Sequence, residues 1–294
     1  MFMKRNCFAL WAFAWTAMLL FSGSCSDIRG VDPAQYEKVL IHSHNDYAQN
    51  RPFWGAWEAG AASIEADIWL IDGALYVGHD REDISPDRML LGMYLEPVRQ
   101  VIRQNDGRAY ADGKPLQLMV DLKNEGERSL QTLVALIESE GLVPCFDRKA
   151  HPQAVCLTIT TGSDIPAGHW DRYPDWVCFD GRPDWELTEG QLERVSLVSQ
   201  SYKKYSGWTG FGRMSTEEQD RIEKVAAQVH ADGKRFRLWG FPDTKRGWEM
   251  AVSLGIDYIN TDQPARAAAW LSSIRMEGSC WSSPTGQTQT VLSA

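Results

Sequence analysis

Short apolar runs alternate with amphipathic segments along most of this chain, starting at residue 39. Several of the runs are apolar almost throughout, which is typical of parallel strands that are covered on both faces. Eight runs predict strands: Val39–His42, Ser63–Trp69, Leu116–Leu122, Ala154–Thr160, Trp176–Asp180, Val195–Ser199, Phe236–Trp239 and Tyr258–Asn260. The pattern therefore predicts parallel strands that alternate with helices.

The amphipathic segments between these runs predict helices: Met89–Gln104, Ser129–Ser139, Ser215–Ala231 and Trp248–Leu254. The third opens on Ser215-Thr-Glu-Glu218, a capping box in which each end residue satisfies a backbone N–H of the other. The segment Thr161–Asp175 is rich in Gly, Pro and Asp, so we expect one helix of the series to be short or absent. Eight β/α units over about 240 residues predict the α/β class, as a single TIM-type (β/α)₈ barrel.

Charged and imidazole side chains accompany the second apolar run. Glu65 and Asp67 stand two residues apart inside it, so both carboxylates point to one side of the strand. Adjacent carboxylates supply the hard oxygen ligands that Mg²⁺ and Ca²⁺ prefer. His44 and His79 flank the pair, and imidazole groups that titrate near neutrality suit a general acid and a general base. Because barrel strands end at one mouth, we expect the four side chains to lie together.

These residues carry a family resemblance. The chain resembles the glycerophosphodiester phosphodiesterases in the pattern His44 … Gly60-Ala-Ala-Ser-Ile-Glu-Ala-Asp67 … Asp72-Gly73 … Val77-Gly-His-Asp80. Those enzymes belong to the phosphatidylinositol-phospholipase-C-like superfamily of (β/α)₈ phosphodiesterases, and the His-Asn-Asp-Tyr start is similar to the branch that includes altered inheritance of mitochondria protein 6. The resemblance continues through Phe236–Gly240 and Gly255–Pro264, so it covers the chain from the first strand to the eighth.

The resemblance assigns a role to the charged pair that ends the third strand. Asp121 and Lys123 share one side of that strand. In the resembling family an acidic residue at this place is the third metal ligand, and the lysine two residues later contacts the phosphate. The resemblance thus implies one divalent cation, Mg²⁺ or Ca²⁺, held by Glu65, Asp67 and Asp121. Asp121 stands where many of these enzymes have Glu.

The implied activity is metal-dependent cleavage of a phosphodiester, by hydrolysis or cyclisation, with the two histidines as acid and base. The residues leave open which histidine is the acid, and whether water or a substrate hydroxyl is the nucleophile. Asn45 replaces the family's usual Arg, and we expect it to help bind the substrate, a small phosphodiester or a phospholipid. Trp239 is expected either to pack against the substrate's apolar part or to belong to the core. We expect Asp262 to cap the last helix, before Pro264.

Two other functions fit parts of the pattern. His42-Ser-His44 also matches the His-x-His of zinc-dependent amidohydrolases, which need further histidines at the ends of strands five and six. Asp180 and the residues around Ser201 occupy those places instead, so His42 is expected to be a strand residue packed near the site. A degenerate barrel that binds lipid or sugar phosphates without catalysis is the other alternative.

The N-terminus predicts export. Lys4 and Arg5 precede an apolar run over residues 7–21, and Ser22-Gly-Ser24 precedes Cys25. This layout is typical of a secretory signal, and the apolar run is short for a membrane span. Cys25 after small residues resembles the acceptor cysteine of a bacterial lipoprotein, with plain secretion as the alternative. We therefore predict an exported protein of the bacterial periplasm or cell envelope, with a possible lipid anchor at Cys25.

The predicted domains are a signal peptide at 1–24, a linker at 25–37, a phosphodiesterase barrel at 38–273 and a disordered tail at 274–294. The net charge is −9, and loss of the two positive charges in residues 1–24, which hold no negative charge, makes it −11. Because so acidic a chain is poorly suited to neutralising nucleic-acid phosphates, we predict no nucleic-acid partner. Cys156 and Cys178 lie in apolar runs, where free buried thiols are expected.

Overall fold

Eight parallel strands close into a barrel in the computed structural model, which describes residues 33–160 and 165–281. The strands in chain order are β1 Leu40–Ser43, β2 Ser63–Ile71, β3 Ala74–Val77, β4 Gln117–Leu122, β5 Cys156–Thr160, β6 Val177–Gly181, β7 Val195–Ser201, β8 Phe236–Trp239 and β9 Tyr258–Thr261. β1 pairs with both β2 and β9, which closes the sheet into a ring. β3 pairs antiparallel with β2, outside the ring. The predicted TIM-type barrel is therefore confirmed.

Helices connect the strands and surround the barrel. They are α1 Pro33–Lys38, α2 Trp54–Glu58, α3 Glu96–Gln104, α4 Gly126–Ser139, α5 Val143–Phe146, α6 Glu189–Glu193, α7 Thr216–Ala231, α8 Lys245–Ser253 and α9 Pro264–Trp281. The predicted capping box at α7 is confirmed, because Ser215 and Glu218 each accept the other's backbone N–H. Between β5 and β6 the described residues form a 3₁₀ turn at Ala167–Arg172 where we expected a short or missing helix.

Two apolar layers pack against the strands. The larger one lies between the strands and the helices and contains fully buried side chains such as Leu118, Phe146 and Phe236. Each such side chain contributes about 1.5–3 kcal/mol by leaving water. A small separate cluster, which we call the inner layer, consists of Ala62, Met119, Leu197 and Tyr258. The inner layer lies inside the barrel, towards the end at which the strands begin.

β2 is longer than its apolar run predicts because it continues into a hairpin. It extends to Ile71, and Asp72-Gly73 then turns the chain into β3. Both turn residues have positive φ, 49° and 82°, as a type I′ turn requires. Asp72-Gly73 is part of the family pattern in the sequence, which predicts no strand after it. The hairpin places Asp67 in the middle of β2 rather than at a strand end.

The last helix continues into the segment that we predicted to be disordered. α9 extends to Trp281, so the boundary at residue 274 is wrong. The Arg275 guanidinium explains the extension, because it donates to carbonyl oxygens at the end of α1, including that of Tyr36 at 2.8 Å. This contact ties α9, beyond residue 274, to α1 at the beginning of the described chain. Residues 282–294 lie outside the described residues.

The predicted signal peptide and Cys25 lie outside the described residues, and α1 occupies the end of the predicted linker. In the described ranges, no helix combines the length and the apolar character that crossing a membrane requires.

Cys156 and Cys178 are free thiols, as predicted, and Cys156 is buried while Cys178 is half-buried.

Gly247, in the first turn of α8, packs against backbone. A Cβ at this position would lie 1.8 Å from the Pro242 carbonyl oxygen. We therefore expect Gly247→Ala to lower the free energy of unfolding by about 1–3 kcal/mol or more, because backbone has to move. Gly190 is the control, since its Cβ would meet nothing within 4 Å in the described chain. Denaturant unfolding of both variants measures the effect, and equal stabilities would contradict this packing.

Candidate active site

Three carboxylates from two neighbouring strands converge at the mouth of the barrel. Glu65 and Asp67 lie on β2, and Asp67 pairs in register with Asp121 on β4. One oxygen atom from each of the three lies within 4.8 Å of the others. Glu65 and Asp67 are only 6% and 2% exposed, and buried charges this close together need a compensating cation. The structure thus brings together the three predicted metal ligands.

Lys123 supplies one such cation. Its Nζ atom lies 2.8 Å from Asp67 Oδ2 and 2.6 Å from Asp121 Oδ2. Burial acts to lower the pKa of Lys123, but the charges of Asp121 and Asp67 outweigh it and raise that pKa to about 12. Burial raises the pKa of Asp121 to about 6, with Lys123 opposing the rise. A set of carboxylate oxygens that already seats a cation fits a hard divalent ion.

His79 and Tyr47 approach the same oxygen atom of Asp67. His79 Nδ1 lies 3.0 Å from Asp67 Oδ2, and the Tyr47 hydroxyl lies 2.8 Å from it. The Tyr47 hydroxyl is also 2.6 Å from the amide oxygen of Asn45. Asn45 adopts the left-handed conformation, with φ 48°, which Asn tolerates better than most residues. Because Asp67 holds Nδ1 of His79, Nε2 is the nitrogen left to exchange a proton with a substrate.

His44 is held in the same way, by a carboxylate that follows β9. Asp262 Oδ1 lies 2.7 Å from His44 Nδ1 and 3.2 Å from Asn45 Nδ2. The predicted cap of the last helix is therefore a wrong assignment for Asp262, whose carboxylate turns towards the loop after β1 instead. Burial acts to lower the pKa of His44, but the hydrogen bond to Asp262 and the charge of Glu65 outweigh it and raise that pKa.

We expect Asp262→Asn to lower the pKa of His44, because the change removes a negative charge 2.7 Å from Nδ1. The limb of the pH–rate profile that His44 controls should then move to lower pH, whether His44 is the acid or the base. The pH dependence of kcat/KM measures the shift. Glu127→Gln is the matched control, since Glu127 pairs with His169 away from this site. Identical profiles for Asp262→Asn and the unmodified protein would contradict the role of Asp262.

Glu65 is held by two buried residues that contact each other, His42 and Arg237. His42 Nε2 lies 2.7 Å and Arg237 Nη1 3.1 Å from Glu65 Oε2. Burial lowers the pKa of His42 to about 3, so the imidazole is uncharged at neutral pH. Burial acts to raise the pKa of Glu65, but Arg237 and His42 outweigh it and keep Glu65 ionised. His42 is thus a strand residue packed beside the site, as predicted.

A cavity of about 340 Å³ opens in front of these groups, and we call it the catalytic cavity. It is lined by His44, Asn45, Glu65, Asp67, His79, Asp121, Lys123, Thr160, Arg182, Arg237 and Trp239. All eight site residues predicted from the sequence belong to this lining, and their individual roles remain predictions. The Trp239 ring lies 5.1 Å from the Arg182 guanidinium, so Trp239 forms part of the cavity wall.

The arrangement does not fit a zinc amidohydrolase. Asp180 in β6 is buried and paired with Arg182 at 2.7 Å, and Tyr202 after β7 donates its hydroxyl to a backbone carbonyl. Within residues 33–160 and 165–281, the one group of three potential metal ligands is the carboxylate triad, which includes no histidine. The predicted His-x-His alternative therefore lacks the further ligands that it requires.

Comparisons with known proteins place the chain in a family. Residues 33–165 match the family described as the AIM6-like phosphodiesterase domain. The altered inheritance of mitochondria protein 6 homolog of Arthroderma benhamiae is 31% identical over 266 residues, which cover 80% of this chain and 82% of that protein. This chain belongs to the AIM6-like phosphodiesterase family. Altered inheritance of mitochondria protein 6 of Eremothecium gossypii is 28% identical over 262 residues, which cover 76% of this chain and 67% of that protein.

Solved structures of phosphodiesterases are also similar to this AIM6-like chain. The glycerophosphodiester phosphodiesterase of Agrobacterium tumefaciens has a TM-score of 0.47 and 18% identity, and the match covers 79% of this chain and 94% of that one. A phosphodiesterase of Oleispira antarctica, in complex with the product sn-glycerol-3-phosphate, has a TM-score of 0.46 and 13% identity, covering 80% and 96%. The barrel assignment rests on the strand pairing within this chain.

Membership of the AIM6-like family overturns the predicted localisation. The relatives from Arthroderma benhamiae, Eremothecium gossypii and Candida glabrata are fungal proteins. The prediction of a bacterial periplasmic or envelope protein, anchored through Cys25, is therefore wrong. It depended on a basic start, an apolar run and a cysteine after small residues, and so short a pattern does not identify the type of cell.

Four residues of the AIM6-like site were missed by the sequence analysis: Tyr47, Arg182, Arg237 and Asp262 in its observed role. Arg237 carries a usable signal, since it stands two residues before Trp239 in β8 and shares its side of the strand. Tyr47 closes the His-Asn-Asp-Tyr start itself. The contact of Asp262 with His44 joins residues 218 positions apart, and nothing in the local sequence of either residue indicates it.

Proposed function

We propose that this AIM6-like protein is a metal-dependent phosphoric diester hydrolase that acts on glycerophosphodiester- or phospholipid-type substrates, by hydrolysis or by cyclisation. The observation that carries the proposal is one cavity that joins three carboxylates, a lysine and two histidines. A carboxylate holds Nδ1 of each histidine. Such a set meets both demands of phosphodiester cleavage, charge compensation and proton transfer.

One divalent cation, Mg²⁺ or Ca²⁺, would be held by Glu65, Asp67 and Asp121. The three side chains offer oxygen donors only, which suits these hard ions. When bound, the cation would neutralise charge on the phosphodiester and on the oxygens where negative charge develops. His42 and Arg237 both contact Oε2 of Glu65, so they would fix the orientation of this carboxylate when it holds a cation.

Two cationic side chains would bind the phosphate. Lys123 now compensates the charges of Asp67 and Asp121, and a bound divalent ion would take over that task. Lys123 would then be released to pair with a phosphate oxygen. Arg182 lines the same cavity, and its guanidinium is fixed by Asp180 at 2.7 Å. The two positive charges favour an anionic substrate.

His44 and His79 would move the protons. One takes the proton of the nucleophile, and the other gives a proton to the departing alkoxide. Because Asp262 and Asp67 hold the Nδ1 atoms, both transfers take place at Nε2. Water as the nucleophile yields a phosphomonoester and an alcohol, whereas a neighbouring substrate hydroxyl yields a cyclic phosphate and an alcohol.

A substrate panel tests the proposal. It contains a glycerophosphodiester, a lysophospholipid, bis(p-nitrophenyl) phosphate, p-nitrophenyl phosphate and an N-acyl amide, with Asp67→Asn protein purified in parallel as the control for contaminating enzymes. We expect the purified protein to cleave the diesters, and ³¹P NMR to identify a monoester or a cyclic product. Cleavage of the amide would favour the amidohydrolase, and binding of diesters without cleavage would favour the non-catalytic barrel.

A further inference from the structure

A second cavity lies at the opposite end of the barrel, where the strands begin. It has a volume of about 160 Å³, and we call it the basal cavity. Its lining includes Arg148, Cys156, Arg235 and Tyr258, and none of its lining residues lines the catalytic cavity. The inner layer, with the fully buried Met119 and Leu197, fills the barrel between them. The two cavities are therefore separate sites.

The basal cavity concentrates positive charge. Arg148 and Arg235 line it, and no Asp or Glu does. Across the described part of the chain, neither guanidinium forms an ion pair with a carboxylate; Arg148 lies near the Cys156 thiol and Arg235 near the Tyr258 hydroxyl. The two guanidinium groups line one small cavity and carry like charges, which repel each other. This arrangement is therefore complementary to an anion, in a chain whose net charge is −9.

We propose that the basal cavity binds a small oxyanion of the phosphate class between Arg148 and Arg235. The planar fork of an arginine matches phosphate oxygens bidentately. A tetrahedral phosphate offers enough oxygens for two forks, whereas a carboxylate offers two oxygens in one plane. The volume of 160 Å³ is below the roughly 300–1,000 Å³ of pockets for drug-sized ligands. The ligand is therefore inorganic phosphate or the phosphate group of a small monoester.

Cys156 provides a local readout, because its thiol lies in the wall of the basal cavity. Alkylation of Cys156 by iodoacetamide therefore reports on access to the basal cavity beside Arg148. Inorganic phosphate, added to chelator-treated protein, should slow this alkylation several-fold as followed by mass spectrometry. Cys145, a buried thiol outside the cavity, is the internal control and should not respond to phosphate.

Variants of the two arginines test whether protection by phosphate depends on the basal cavity. Arg148→Met combined with Arg235→Met should remove the protection and weaken phosphate binding, measured by calorimetry, by about tenfold or more. Arg103→Met changes an exposed arginine elsewhere and should behave like the unmodified protein. Arg148→Lys keeps the charge without the fork, so it should weaken binding even if the double variant does not fold. Methyl phosphate in place of phosphate distinguishes a monoester from the free ion.

Three outcomes would overturn this second site. One is the absence of any phosphate-dependent change, in both measurements, for the unmodified protein. Another is protection that survives in the folded double variant and in Arg148→Lys. The third is equal protection by chloride at the same ionic strength, since that would show general screening rather than a site for a tetrahedral oxyanion.

Discussion

Replacing His44 or His79 by Ala should reduce turnover of an alkyl phosphodiester by about 10²–10⁴-fold. Each imidazole lines the catalytic cavity and is held at Nδ1 by a carboxylate, so each loss removes a proton-transfer group. Cation affinity, measured by calorimetry, should fall far less than in carboxylate variants, because neither histidine belongs to the triad. His151→Ala, an exposed histidine outside the catalytic cavity, is the control.

The same two variants assign the roles of the histidines. A p-nitrophenyl diester has a good leaving group and needs little protonation of its departing oxygen. It should therefore rescue the variant that lost the acid and leave the other variant impaired. Near-normal turnover of an alkyl diester by both His44→Ala and His79→Ala would exclude this mechanism.

Asp67→Asn should weaken cation binding and lower turnover by more than about 10²-fold, since even changes that only orient metal ligands cost about 10–100-fold. Asp67 is the carboxylate that Lys123, His79 and Tyr47 all contact, so its charge affects three neighbours. Asn keeps the shape and an oxygen acceptor, and Lys123 keeps its bond to Asp121. We therefore expect the barrel to fold, which circular dichroism and thermal unfolding check.

Lys123→Met tests whether the ammonium group of Lys123 and the divalent cation share one place among the carboxylates. It removes the ammonium group that lies between Asp67 and Asp121, so cation affinity should rise while turnover falls. Calorimetric titration with Mg²⁺ or Ca²⁺ compares the two variants directly. If Lys123→Met weakened cation binding as much as Asp67→Asn does, the ammonium and the cation would not share one place.

The barrel follows from sequence because each parallel strand is buried on both faces and appears as a short apolar run. Phe236–Trp239 has the same limits in the structure as in the prediction. Errors arise where distant contacts extend an element. β2 is lengthened by the pairing of its end with β3, and α9 by the contact of Arg275 with the end of α1. Both contacts depend on the completed fold rather than on local periodicity.

In the candidate site, too, local sequence predicts some groupings of residues and misses those that depend on distant contacts. Glu65 and Asp67 can be grouped from one strand, because the spacing of two fixes their common side. The residues that hold the side chains of the site cannot be grouped in this way. Arg237 contacts Glu65 from 172 positions away, and Asp262 contacts His44 from 218 positions away. The sequence shows Asp262 next to a helix start, where capping is the local expectation. The closure of β9 onto β1 brings it to His44 instead.

The most direct test of the central claim is phosphodiester cleavage by one protein sample before chelation, after chelation and after a cation is returned. Three carboxylates that offer oxygen atoms within 4.8 Å of one another predict loss of activity with chelator and recovery with Mg²⁺ or Ca²⁺. Full activity in the chelated sample would contradict the account. Recovery with Zn²⁺ alone would contradict it as well, since the triad offers no nitrogen or sulfur ligand.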